Sequence, residues 1–128
     1  SFVFEGAKSG RLEVSEGAEL ARVRTVEQEY DLQINFPAFL EMDYRCDQTF
    51  VVGLYGFRNG QETVLPGMVL TATDDGLNPV WNKIYVDISP LVNAQGNADH
   101  FEVYVECVLE AGRSTGTVGL DNLRILTY

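Results

Sequence analysis

The stretch HFEVYVECVLE, residues 100–110, alternates apolar and polar side chains along its length. Phe101, Val103, Val105, Cys107 and Leu109 fall on one side of an extended chain, and His100, Glu102, Tyr104, Glu106 and Val108 on the other. Successive side chains of a strand point to opposite faces, so alternation of this length predicts a strand with one buried and one wetter face. A connector rich in turn residues follows (Gly112, Arg113, Ser114, Thr115, Gly116), and then a second extended stretch, TVGLDNLRILTY. The two stretches are expected to pair as a long β-hairpin. In the second, Val118 and Leu120 share a phase, while Leu123 and Ile125 are displaced from it by one residue. A bulge at Asp121–Asn122 restores the phase, because one extra residue turns the apolar set back to the core.

The same alternation recurs toward the N-terminus. WNKIYVDI places Ile84, Val86 and Ile88 on one phase and Trp81, Lys83, Tyr85 and Asp87 on the other. AFLEMDYRC sends Leu40, Met42, Tyr44 and Cys46 inward, and YDLQINF is expected to do the same with Tyr30, Leu32, Ile34 and Phe36. FVVGLYGF is almost wholly apolar, as befits a strand covered on both faces. ETVLPGMVLTA is a strand interrupted at Pro66-Gly67, and RLEV, AELARVRT and SFVFEG are shorter candidates. SPLVNAQGNAD carries one helical turn, with Ser89 as N-cap, Pro90 at the first helical position and Gly96 as the stop. No longer amphipathic helix, internal repeat or low-complexity linker interrupts the series. Many short strands separated by turn residues predict an all-β fold, a jelly-roll β-sandwich of two antiparallel sheets, formed by residues 1–128 as a single domain.

Composition narrows the function classes. A net charge of −10 with only nine basic residues leaves no Lys/Arg cluster of the kind that binds nucleic acid or an anionic membrane. No apolar run approaches the roughly twenty residues that span a bilayer, so membrane insertion by this segment is not expected. The chain starts at Ser1 without a charged-then-apolar leader and is read as a fragment of a larger protein. Cys46 and Cys107 both fall on inward phases, which predicts inert core thiols, with a disulfide between neighbouring strands as the alternative.

The order FE…SGRLEV…FLEMDY…WNKIYVDISPLV…HFEVYVE…VGLDNLRIL resembles the galactose-binding-like β-sandwiches, the jelly-roll fold of many carbohydrate-binding modules. It is most similar to domains of Gram-negative bacterial surface lipoproteins, in which a W-x-K-[IV]-Y-[IV]-D segment precedes a terminal L-D-N-[IL] strand. The resemblance implies an extracytoplasmic location, at the cell surface or in the periplasm, with the lipid-bearing cysteine upstream of this segment. It also implies a structural calcium joining the first and last strands, for which Glu5 and Asp121 are the positions to watch. Hard oxygen ligands suit that ion.

Little in the sequence speaks for catalysis. His100 is the sole histidine and opens a strand with no local serine motif, and there is no H-E-x-x-H, G-x-S-x-G or Gly-rich phosphate loop. Paired carboxylates of the glycosidase kind remain a third, trailing reading, since no acid stands apart from the solvent-facing alternation. Sugar binding has the better constellation, because aromatic rings stack on the apolar face of a pyranose while amides and carboxylates bond its hydroxyls. Tyr85 and Tyr104 lie on polar phases of their strands, and Tyr55 joins them if the strands are neighbours. Trp81 and Asp75 mark the loop alternative, although a Trp that opens a strand commonly closes the end of a core, and that packing role is expected first of Trp81. The function read from the sequence is a non-catalytic carbohydrate-binding accessory domain whose partner is a glycan. The rival is a structural or adhesive spacer that contacts neighbouring protein domains and has no sugar site.

Overall fold

The computed structural model describes residues 10–24, 32–74 and 80–127. The elements in chain order are β1 (Gly10–Ser15), β2 (Leu20–Arg24), β3 (Ala38–Cys46), β4 (Phe50–Arg58), β5 (Gln61–Leu70), β6 (Asn82–Asp87), α1 (Ser89–Ala94), β7 (His100–Val108) and β8 (Thr115–Thr127). They form two four-stranded sheets, ordered β1-β8-β3-β6 and β2-β7-β4-β5. All pairings are antiparallel. The first strand pairs with the last, the second with the second-last, and so inward to β4 with β5. The chain is thus a long two-stranded ribbon wound around its own core, which is the jelly-roll arrangement.

Each sheet turns its apolar phase inward. β3 contributes Leu40, Met42, Tyr44 and Cys46, β4 Phe50, Val52 and Leu54, β7 Phe101, Val103, Val105 and Cys107, and β8 Val118, Leu120 and Leu123, all buried. The bulge expected in β8 is present. Glu41 pairs with Arg124 and Asp43 with Asp121, so β8 carries one residue more than β3 over that interval. Asn122 absorbs it at φ 53°, a left-handed conformation that asparagine tolerates better than most residues. The Pro66-Gly67 interruption is likewise a bulge: Val52 pairs with Met68 and Gly53 with Pro66, leaving Gly67 as the extra residue of a strand that continues to Leu70. Pro66 and this bulge lie on an edge strand, where they hinder pairing with another chain.

Three expectations are corrected. β7 and β8 do not form a hairpin, for β7 pairs with β2 and β4 while β8 pairs with β1 and β3 in the other sheet. The connector explains this. Leu109 N–H donates to the Glu19 carbonyl at 2.8 Å, Glu110 N–H donates to Gln48 Oε1 at 3.3 Å, and Glu110 Oε1 accepts from the Thr49 N–H at 2.7 Å. Its bonds run to other loops at that end of the sandwich, carrying the chain from one sheet to the other. Residues 32–36 are not a strand either: Asn35 takes φ 67°, and Ile34 and Phe36 are exposed. The Asn35 N–H donates to Asn93 Oδ1 at 3.1 Å, and Ile34 packs against Gly96, where a β-carbon would meet its side chain at 2.7 Å. Finally, Ser89 is the first residue of α1 rather than its cap, and its Oγ accepts from the Ala38 N–H at 3.0 Å, tying the helix to the start of β3.

Cys46 and Cys107 are free and buried. They lie in opposite sheets, Cys46 on β3 and Cys107 on β7. Burial is the main cause that pushes both thiols up, to about 11. The strand expected at residues 1–6 lies outside the described residues, as does Tyr30.

Candidate functional site

Register fixes how side chains are arrayed on the outward face of the β1-β8-β3-β6 sheet. One row runs Tyr85, Glu41, Arg124 and the next Lys83, Asp43, Asp121. In a third, Arg45 pairs with Gly119 and Gly119 with Arg11. Trp81 joins this third row, because its neighbour Asn82 pairs with Tyr44. Trp81, immediately before edge strand β6, and Tyr85 within it therefore fall on one face, about 13 Å apart at 3.3 Å per residue. Both are well exposed, at 50% and 56%. Trp81 does not close the core; it lies on the sheet. A β-carbon on Gly119 would stand 3.3 Å from Trp81 Cη2 and 3.2 Å from Arg45 Cγ, so the bare glycine is what lets the indole settle over β8.

Trp81 is held by the neck of the loop before it. Thr73 Oγ1 donates to the Val80 carbonyl at 2.6 Å, and the Val80 N–H donates to Asp74 Oδ1 at 3.2 Å. Arg45 Nη2 donates to Asp74 Oδ2 at 2.8 Å. Asp74 thus joins β3 to the residue before the indole. Under Tyr85, Glu41 is a carboxylate only 2% exposed, clasped by Arg124 Nε and Nη2, each at 3.0 Å, and by Lys83 Nζ at 3.1 Å. This two-pronged pairing fixes both cations beside the tyrosine ring.

These bonds make a pH prediction. The Arg124 guanidinium holds the Glu41 carboxyl below the usual carboxylate range, and Arg45 does the same for Asp74. A folded-state value depressed below the unfolded one contributes stability above about pH 4 that is lost as pH falls through the folded value. The thermal midpoint is expected to hold from pH 7 to about pH 5 and to fall below about pH 4. In Asp74→Asn the midpoint at pH 7 is lower and the acid decline shallower, and an unchanged acid limb would show that Asp74 takes no part in it.

The other outward face is built differently. Tyr55 and Tyr104 pack with ring centroids 4.9 Å apart, and each is only 2% exposed. The Arg24 guanidinium lies 4.1 Å from the Tyr55 centroid, and Arg22 Nη1 donates to Tyr55 Oη at 3.0 Å. Arg22 pairs with Glu106 at 3.0 Å, and Arg24 with Glu102 at 3.0 Å and Glu62 at 2.7 Å. The aromatic faces that a sugar would use are covered by protein groups, and burial pushes the Tyr104 hydroxyl up.

The structure therefore separates Tyr85 from Tyr104, on opposite sheets, and brings Tyr85 together with Trp81. Asp75 and Glu5 lie outside the described residues. Asp121 serves the bulge, its Oδ1 accepting from the Asn122 N–H at 2.8 Å. Among the described residues no group of three or more Asp, Glu, His or Cys side chains is placed to hold a metal, so they do not by themselves compose the calcium site expected at Glu5 and Asp121. Arg11, Arg45, Asp74 and Gly119 were not singled out by sequence; they come from separate strands and loops, and only pairing unites them. The hollow that Arg11, Arg45 and Gly119 share with Trp81 is about 360 Å³. A larger one of about 610 Å³, between the edge strands β1 and β2, has no ring on its walls.

No family profile matches the chain, and no curated protein is similar to it in sequence. A solved structure described as "CBM4 structure and function", a carbohydrate-binding module, superposes with a TM-score of 0.50 at 12% identity, covering 95% of this chain and 84% of its own. The likeness is one of fold. Among the described residues no helix is long and apolar enough to cross a membrane.

Proposed function

We propose that this domain is a non-catalytic carbohydrate-binding accessory domain of a secreted or surface-anchored protein, with its sugar lying on the outward face of the β1-β8-β3-β6 sheet. The observation that carries this is the pair of half-exposed rings, Trp81 just before β6 and Tyr85 on it, on one face of the sheet. Between and beside them stand Lys83, Asp43, Arg124 and Arg45 as hydroxyl partners. An oligosaccharide fits this spacing better than a single sugar, since two platforms lie apart on one face of the sheet. Stacking on a rigid aromatic costs little ordering, and the clasps at Glu41 and Asp74 hold the surrounding groups in place before the ligand arrives. The shared fold supports the class of function by analogy. The resemblance to surface-lipoprotein domains supports an extracytoplasmic setting with an anchor outside this segment.

The spacer reading keeps one observation in its favour. Val64 and Val69 on β5, and the paired Leu20 and Val108, are exposed apolar side chains on the opposite sheet, where a neighbouring domain would cover them.

The test is a glycan-array screen of the purified domain, run with calcium and with chelator, alongside Trp81→Ala and Tyr85→Ala. Both residues are half exposed, so the variants should keep the wild-type thermal midpoint. Binding is expected to weaken about tenfold or more in Trp81→Ala, as for other aromatic anchors. Binding that survives the double variant would move the site off this sheet. Silence across plant, microbial and host glycans would put the spacer ahead.

A further inference from the structure

We propose that the sugar recognised at the Trp81 end of this face is anionic, with its carboxylate or sulfate taken between the guanidinium groups of Arg11 and Arg45 while its ring lies on the indole. This rests on the carbohydrate function proposed above and narrows its ligand class. The row Trp81, Arg45, Gly119, Arg11 puts a residue without a side chain between two arginines. The hollow that results is lined by Gly10, Arg11, Arg45, Trp81, Thr117 and Gly119, and no acid is among them. Its polar side-chain groups are two guanidinium groups and the indole N–H, which only donate, and one hydroxyl. A neutral pyranose presents hydroxyls that need acceptors as well as donors, whereas a carboxylate or sulfate presents acceptors alone.

The acids that pair these arginines sit to the side. Arg45 uses Nη2 for Asp74, which orients the guanidinium fork and leaves its other nitrogens for a ligand. Arg11 pairs with Glu13, two residues on along β1, with both side chains more than half exposed. A solvent-exposed pair of this kind contributes little, so a ligand anion exchanges for it at small cost. The net charge of −10 repels a polyanion at long range. At physiological ionic strength that repulsion is screened beyond about 8 Å, while contacts inside the hollow are not.

Trp81 is the sole tryptophan of the chain, so its fluorescence reports changes in the surroundings of this one indole. The domain is titrated with a trigalacturonate and with its fully methyl-esterified form, a matched pair differing in charge. A second matched pair is a sulfated galactan trisaccharide and its desulfated counterpart, and sodium sulfate is titrated alone. At least one anionic sugar is expected to bind about tenfold or more tighter than its neutral partner, and which pair responds tells carboxylate from sulfate. That preference is expected to shrink to about twofold or less in Arg11→Gln, a surface change that leaves the Arg45–Asp74 link in place, and further in Arg11→Gln/Arg45→Gln. Equal binding of charged and neutral partners overturns the anionic assignment and leaves the carbohydrate function standing. Sulfate ion that reproduces the whole response without any gain from the sugar also overturns it, reducing the hollow to a plain anion site. A fluorescence that no glycan on the array moves counts instead against a sugar site at Trp81.

Discussion

Phe50→Ala is expected to lower the unfolding free energy by about 3–5 kcal/mol, the range for emptying a buried aromatic site. Phe50 is 2% exposed and stands on β4 facing the other sheet. Its ring meets Tyr44 of β3 edge-on, centroids 5.6 Å apart at 67°, so the substitution removes packing within one sheet and an aromatic contact between the two. Edge-to-face pairs add about 0.5–1.5 kcal/mol beyond area burial. The cost is high because the sheets are tied together by such interdigitation, and a cavity between them has no flexible wall to collapse. Urea unfolding followed by far-ultraviolet circular dichroism measures it. A loss under about 1 kcal/mol would show that the sheets close over the gap.

Gly53→Ala is the second large effect, with about 1–3 kcal/mol expected from overpacking. A β-carbon at this position would stand 2.6 Å from the Leu65 carbonyl oxygen and 2.7 Å from Cε1 and Cζ of Tyr104. The carbonyl belongs to the paired backbone of β5 and cannot swing aside. The tyrosine ring is wedged between Tyr55 and Arg22 of β2, and it cannot move without disturbing them. Near-ultraviolet circular dichroism should change along with the denaturation midpoint, since Tyr104 loses its fixed environment. Sugar affinity at Trp81 should be unaltered well below the midpoint, because the two rings lie on opposite sheets. A variant that kept its stability but lost glycan binding would place the sugar on the Tyr55–Tyr104 face and overturn the site proposed here.

Much of this protein was legible as text. Period-two alternation in residues 38–46, 82–87 and 100–108 named the apolar side chains that face the core, since the pleat of a strand leaves each residue only two directions to point. It did not foresee that Glu41, Glu102 and Tyr104 on the outward phase are buried as well. The phase slip between Leu120 and Leu123 named a bulge, because only an extra residue reconciles two apolar sets one position apart. The sequence holds no apolar run of the roughly twenty residues that a membrane-crossing helix needs, and its nine basic residues against nineteen acids speak against a nucleic-acid surface.

Tertiary structure alone decided which strands are neighbours. Alternation tells a strand which face to bury and says nothing about its partner, so the pattern of residues 100–127 was equally compatible with a hairpin and with two strands in separate sheets. The hydrogen bonds of the connector to Glu19, Gln48 and Thr49 chose the second. That choice placed Tyr104 on one sheet and Tyr85 on the other. It also packed the first ring against Tyr55 and Arg22 and set the second on the same face as Trp81. Residues 32–36 alternate as well as any strand in the chain, yet they turn at Asn35 to reach Asn93, because a contact with the helix outweighed the local pattern. The hollow at Trp81 depends on Arg11, Arg45 and Gly119 from three different strands. Residues so far apart in the chain leave no trace of one another in its sequence, and only the register of β1, β8 and β3 brings them side by side.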